Sequence, residues 1–296
     1  MTGIGARFDI FLKNIQLNSD HIQDAKTKYD GVCKKLHDNY YYFGYTGDSK
    51  VLIGSYGKKN AIAPPTDIDL IFKVPGDRYQ KYNDYKGNGQ SQLLQDVRSI
   101  LLEKYPNTSI HGDRNVVAVD FRSYSIEVVP GFILKNGNYY IPDSYGNGTW
   151  KISSPTSEKE LITASNKKTN GNTIKLIKIM KAWKNNSTVP IKSVIIELAA
   201  ISFLNQWKYA NSTFSSYMYD WMVRDFIEYL IQNQNNSISM AGTGELINFG
   251  NKWVSKAQSA HSHAIKACDY ESKNMAYLSS TEWQKVFGDR FPYKSS

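Results

Sequence analysis

Val51-Leu-Ile-Gly54-Ser55-Tyr56-Gly57, followed twelve residues past its serine by Asp67-Ile-Asp69-Leu-Ile71-Phe72, reads as a phosphate cradle leading into a metal-binding strand. The three apolar residues before Gly54 predict a short buried strand. Gly-Ser-Tyr-Gly predicts a turn where backbone amides can approach phosphate oxygens. The run from Ile68 to Phe72 favours a strand, so Asp67 and Asp69 share one face with a separation of roughly 7 Å. Two carboxylates held side by side repel each other and lose solvation, a cost that a divalent cation removes. Hard oxygen donors facing phosphates suit Mg²⁺, and two ions roughly 3.5–4 Å apart would serve in-line phosphoryl or nucleotidyl transfer. Asp-x-Asp alone is common in loops and Gly-Ser alone means nothing. The signal lies in their order on consecutive predicted strands.

Such chemistry usually needs a third acid, and Val116-Val-Ala-Val-Asp120-Phe-Arg-Ser-Tyr-Ser-Ile126-Glu127-Val-Val-Pro130 supplies two candidates. The segment predicts a hairpin turning near Arg122 to Ser125. In its second strand Ile126 and Val128 share one face while Glu127 takes the other, which puts an acid inside an apolar strand. A charge seldom sits there without a partner. Asp120, beside the turn, is the alternative, and a solvated carboxylate is ordinary at such a place.

Gly-Ser-Tyr, Thr66-Asp-Ile-Asp69 and Ile126-Glu-Val-Val-Pro130-Gly-Phe resemble the signature of the cGAS/DncV-like nucleotidyltransferase (CD-NTase) family, related to oligoadenylate synthase. The likeness runs nearly end to end. It takes in Trp150 with Ser154-Pro155, Ile177-Lys-Ile-Met-Lys181-Ala-Trp183, Ile191-Lys-Ser193-Val-Ile-Ile-Glu197-Leu and the closing Trp283-Gln-Lys-Val-Phe287-Gly-Asp-Arg-Phe291-Pro. The third acid here is Glu127 where many relatives carry Asp, which adds a methylene but keeps both oxygens. The resemblance implies an α+β fold, a polymerase-β-like nucleotidyltransferase core with a mixed β-sheet joined to a C-terminal helical lobe. It implies an enzyme that joins nucleoside triphosphates, ATP and GTP foremost with pyrimidines as alternatives, into a cyclic di- or trinucleotide or short oligonucleotide, releasing pyrophosphate. Asp67, Asp69 and Glu127 would hold two Mg²⁺, with Mn²⁺ as a substitute, and Gly54 and Ser55 would hold the donor triphosphate. Lys181 and Ser193 match the motif positions that contact the nucleotide's triphosphate in related synthases. By spacing alone, Lys181 belongs to a series with Lys175 and Lys178 that could be a solvated face, and Ser193 could be an N-cap. Lys58 and Lys59, just past the cradle, are further candidates for neutralising phosphate. Bacterial relatives imply a second messenger in antiphage (CBASS) signalling, with an activating RNA or regulatory protein as a candidate partner.

Charge is uneven along the chain. Residues 1–150 carry 18 Lys and Arg against 16 Asp and Glu, and residues 151–296 carry 18 against 11, within a formal net charge of +9. A basic second half would attract nucleoside triphosphates or RNA, although lysines that merely solubilise helix faces account for much of the excess. No apolar run reaches the roughly eighteen residues of a membrane span, and Met1 to Asp9 lacks a signal core, so the expectation is a cytoplasmic chain without a membrane partner. Cys33 and Cys268 are too few for a disulfide framework, and His261-Ser-His263 lacks partnering thiols, which argues against zinc. The sequon at Asn107-Thr-Ser109 is then a chance match.

Periodicity predicts a helix capped by Ser19 through Ile22, Ala25, Tyr29, Val32 and Leu36. It predicts a second through Leu93, Leu94, Val97, Ile100 and Leu101, after a loop over Tyr82 to Gln90. The Ser, Thr, Asn and Lys rich stretch from Ile152 to Asn172 reads as a connection, most linker-like over Ser165 to Gly171, and the division is placed near Pro155. Residues 1–155 would form the nucleotidyltransferase core and 156–296 the helical lobe. Core helices are expected over Ile174 to Trp183, over Val194 to Trp207 and along Phe214, Met218, Met222, Phe226 and Leu230. Gly242 to Gly250 reads as a loop and a final helix bears His263 and Cys268. Two rival functions stay open: a nucleotidyltransferase acting on an RNA end, a protein or a small molecule, and a non-catalytic nucleotide or RNA sensor.

Overall fold

The computed structural model describes residues 3–211 and 218–294. In chain order its elements are α1 (Ile4–Asn14), α2 (Ser19–Tyr40), β1 (Lys50–Leu52), α3 (Gly54–Gly57), β2 (Asp67–Lys73), α4 (Tyr79–Asn83), α5 (Gly89–Lys104) and β3 (Ser109–Asp113). They continue with β4 (Val116–Asp120), β5 (Ser125–Ile133), β6 (Tyr139–Asp143), β7 (Thr149–Ser153), α6 (Pro155–Lys168), α7 (Asn172–Asn186) and α8 (Ser193–Gln206). The last are α9 (Tyr219–Gln232), β8 (Ser237–Ser239), β9 (Leu246–Asn248), α10 (Val254–Ser272) and α11 (Ala276–Phe287). The fold is α+β. It has two compact units, Leu17–Lys159, and Met1–Gln16 with Glu160–Ser296.

The first unit is built on a seven-stranded mixed sheet with central order β1-β2-β5-β4-β3, extended from β5 through β6 to β7. Its one parallel pairing joins β2 to β5, with Asp67 opposite Ser125, Asp69 opposite Glu127 and Ile71 opposite Val129. Strand alternation sorts the side chains. Ile68, Leu70, Phe72, Ile126, Val128, Val117 and Val119 are buried on one face, where they pack with Ala25, Val32 and Leu36 of α2 and Leu93, Val97 and Leu101 of α5. The opposite face carries the acids and, beyond them, a small patch of Ile71, Val129 and Tyr139. This split is the period-two rule in operation. Asn18, one residue before the expected cap, starts α2: its side chain accepts from the His21 amide at 2.8 Å. The 82–90 stretch expected as loop is shared between the end of α4 and the start of α5.

Among its described residues the second unit is helical apart from the small β8–β9 hairpin. Its α8 buries Ile195, Ile196, Leu198, Ala199, Ala200, Phe203 and Leu204, as expected for a helix apolar nearly all round. Phe8 and Phe11 of α1 join Tyr219, Trp283, Phe287 and Phe291 in an aromatic cluster, with Phe8 5.0 Å from Phe291 and 5.2 Å from Trp283 between ring centroids. Three local expectations need correction. The linker-like stretch is mostly helix: α6 runs to Lys168 and buries Ile162 and Ser165, and Thr169 just past its end is buried as well. Its polar residues face inward because they are satisfied there: Ser165 and Thr173 share a hydrogen bond of 2.8 Å, and Thr169 Oγ1 donates to the Ser165 carbonyl at 2.9 Å. The stretch expected as loop over 242–250 contains β9, and α11 follows the helix expected to be last. Met222, Phe226 and Leu230 are buried on α9 as expected, while Phe214 lies outside the described residues. Among the described residues no helix is long and apolar enough to cross a membrane.

Candidate active site

The Gly-Ser-Tyr-Gly stretch forms one turn of helix, α3, set against β2 by the Ile53 amide, which donates to the Asp69 carbonyl at 3.0 Å. Gly54 sits at φ +55, and a Cβ there would lie 1.9 Å from Asp69 Oδ2. Only glycine meets both the left-handed backbone and that contact. Gly57 is required for a separate reason, since a Cβ would fall 2.2 Å from the Leu52 carbonyl oxygen. The cradle and the acid strand are thus interlocked. The amides of Gly54, Ser55 and Tyr56 open the turn ahead of any carbonyl partner four residues back.

Register brings the acids together in two rows across β5. Asp67, Ser125 and Asp120 form one row; Asp69, Glu127 and Ala118 form the next. Burial, then the charges of Asp67 and Glu127, pushes the Asp69 carboxyl well up from its ordinary value, against the pull of Lys58. Burial, then Asp67, also raises Glu127. The two carboxyls lie against each other, and each is raised by burial and by the charge of Asp67. Asp120 is treated in the opposite way. Ser125 Oγ donates to it at 2.6 Å and Ser109 Oγ at 3.0 Å, with His111 Nδ1 at 3.3 Å, and these hold its carboxyl below the usual range. Asp120 is satisfied by its own strands, whereas Glu127 stands with Asp69.

An all-oxygen, like-charged set fits hard divalent cations. Among the described residues no three Asp, Glu, His or Cys side chains form a ready metal cage. The arrangement is a close pair, Asp69 with Glu127, and Asp67 within electrostatic reach. Lys58 lies beside it, its Nζ donating to Glu158 Oε2 at 2.9 Å, while Lys59 is exposed just past the turn.

Residues 1–166 match the Second Messenger Oligonucleotide or Dinucleotide Synthetase domain family. The chain belongs to this family. It is 26% identical to a probable cyclic nucleotide synthase of Bacillus cereus (strain VD146), over 96% of each chain. It is 25% identical to the cyclic AMP-AMP-AMP synthase of an Acinetobacter species, over 96% of this chain and 84% of that one. Its fold superimposes with a TM-score of 0.77 on the Vibrio cholerae cyclic AMP-GMP synthase, solved with the linear intermediate pppA(3′,5′)pG, at 11% identity over 99% of this chain and 97% of that one. The synthetase is therefore an enzyme, a nucleotidyltransferase of the cyclic oligonucleotide synthase kind.

The remaining expected contacts of the synthetase lie in the helical unit. Lys181 is buried, and its Nζ donates to Glu197 Oε1 at 2.8 Å. The lysine singled out by the motif is therefore engaged in a buried ion pair. Ser193 opens α8, where its Oγ accepts from Lys184 Nζ at 2.9 Å. Lys178, one turn before Lys181, has no hydrogen bond or ion pair among the described residues, and burial followed by Lys181 pushes its ammonium down. The only sequence signal for it is its place in the 175, 178, 181 series. His263 pairs with Glu282 at 2.6 Å, and both cysteines are buried free thiols. The clamp on Asp120 was missed because Ser109 and His111 reach it only through strand pairing.

Proposed function

We propose that the synthetase builds a cyclic di- or trinucleotide, or a short oligonucleotide, from nucleoside triphosphates in a Mg²⁺-dependent reaction that releases pyrophosphate. The observation that carries this reading is the in-register pairing of Asp69 with Glu127, with the Asp69 carboxylate packed against Gly54. Asp67, Asp69 and Glu127 would hold two Mg²⁺, or Mn²⁺ in their place. Bound there, the ions would acidify an attacking ribose hydroxyl and stabilise charge on the departing pyrophosphate. Gly54 and Ser55 would orient the donor triphosphate through backbone amides, and Lys58 would lend positive charge beside it. Relatives named for cyclic AMP-AMP-AMP and cyclic AMP-GMP support purine triphosphates as substrates. The product would act as a second messenger in antiphage (CBASS) defence in the cytoplasm, with synthesis under control of a regulatory protein or RNA.

The test is incubation of the purified chain with all four labelled ribonucleoside triphosphates and Mg²⁺, then phosphatase treatment and mass analysis. A phosphatase-resistant oligonucleotide is expected, and it would disappear in Asp69→Asn. Label transferred only to an added RNA or protein would replace this reading with the end-modifying one.

A further inference from the structure

We propose that the cavity lined by α2, α4 and α5 binds a small organic anion, a carboxylate or phosphate monoester, through Arg78. The cavity has a volume of about 340 Å³, within the range of small-molecule sites. Arg78, in the short turn between β2 and α4, lines it with Nε buried and without a partner. No ion pair or hydrogen bond engages its guanidinium among the described residues. A guanidinium does not lose its proton, so its charge and its fork of donors remain in the cavity wall.

The one acid lining the cavity is already committed. Asp96 Oδ2 accepts from Lys81 Nζ at 2.7 Å and from the Tyr82 hydroxyl at 2.9 Å, and Oδ1 accepts from Gln92 Nε2 at 2.7 Å. Lys81 balances its charge, which leaves Arg78 as the uncompensated one. A planar fork of donors matches a carboxylate or a phosphate in bidentate fashion. Tyr40, Tyr82 and Ile100 add apolar wall for the ligand's carbon skeleton.

The location makes the occupant an effector and not the reacting nucleotide. The helices around the cavity cover the sheet face that buries Leu70 and Phe72, whereas Asp69 and Glu127 project from the opposite face. Contact with the acid strand is nevertheless direct. The Tyr40 ring lies 5.7 Å from that of Phe72, and the Tyr41 hydroxyl donates to the Lys73 carbonyl at 2.8 Å.

The experiment is a protein-observed NMR titration of the full chain with benzoate, phenyl phosphate and inorganic phosphate, following backbone amides. Saturable shifts at Arg78, Lys81 and Ser99 are expected with at least one aryl anion, and the benzoate and phenyl phosphate arms separate the two headgroups. Affinity should fall at least tenfold in Arg78→Gln. It should also fall in Asn39→Asp, which keeps Arg78 and adds negative charge at the cavity wall, so that variant decides the matter if Arg78→Gln does not fold. Shifts confined to residues 54–59, or equal affinity in the folded variants, would overturn the proposal.

Discussion

Asp120 and Asp69 project from one face of one sheet, and the fold treats them in opposite ways. Asp120 is given two serine hydroxyls and a histidine, and its carboxyl is held ionised by groups the chain itself provides. Asp69 is given burial, two neighbouring acids and a glycine packed against its oxygen. The first arrangement is complete as it stands. The second concentrates buried negative charge, which a bound cation would relieve. Under the proposed function, the contrast gives Asp120 a structural role and Asp67, Asp69 and Glu127 the chemical one.

The strongest way to break this comparison is substitution of the acids. Asp67→Asn or Asp69→Asn should lower the initial rate of oligonucleotide formation by at least about 10³-fold, while Asp120→Asn should stay within about tenfold of wild type. Comparable losses in all three would erase the distinction. Gly54→Ala should come next, with a loss of about 10²-fold in rate, because the new Cβ displaces the Asp69 carboxylate. Retained activity there would show that the interlock of cradle and strand is dispensable.

A second buried charge pair sharpens the comparison from the helical unit. Lys181→Met should destabilise the fold by about 3 kcal/mol in denaturant unfolding, since Glu197 is left buried, and adding Glu197→Leu should recover much of that loss. A raised KM for ATP at unchanged stability would return Lys181 to the nucleotide. A further contrast concerns pH. The folded carboxyl of Asp69 titrates near 7, above its ordinary 3.8, so its contribution to stability is fully present below about pH 4 and is lost as pH rises through about 7. Metal-free protein should therefore lose stability between pH 4 and pH 8 at this site, a loss reduced in Asp69→Asn. Unfolding in the presence of EDTA measures it.

The acid strand, the hairpin and the separation of Asp67, Asp69 and Glu127 from Ile68 and Ile126 are legible in the sequence because alternation is local. So is α8, whose apolar residues surround the whole helix. The partners of α1 are not legible, since Phe8 meets Trp283 and Phe291 across almost the entire chain length. Nor is α6, where serine and threonine do the inward packing that periodicity expects of apolar residues. The pairing of Lys181 with Glu197 hides for the same reason as the serine clamp on Asp120: both are made by elements that meet only after folding.

Cation binding tests the contrast most directly. Mn²⁺ titration of wild type, Asp69→Asn and Asp120→Asn, followed by electron paramagnetic resonance of the free ion, should give equal affinity in wild type and Asp120→Asn and at least tenfold weaker binding in Asp69→Asn. Undiminished binding in Asp69→Asn, or a loss in Asp120→Asn alone, would contradict the proposed metal site at Asp67, Asp69 and Glu127.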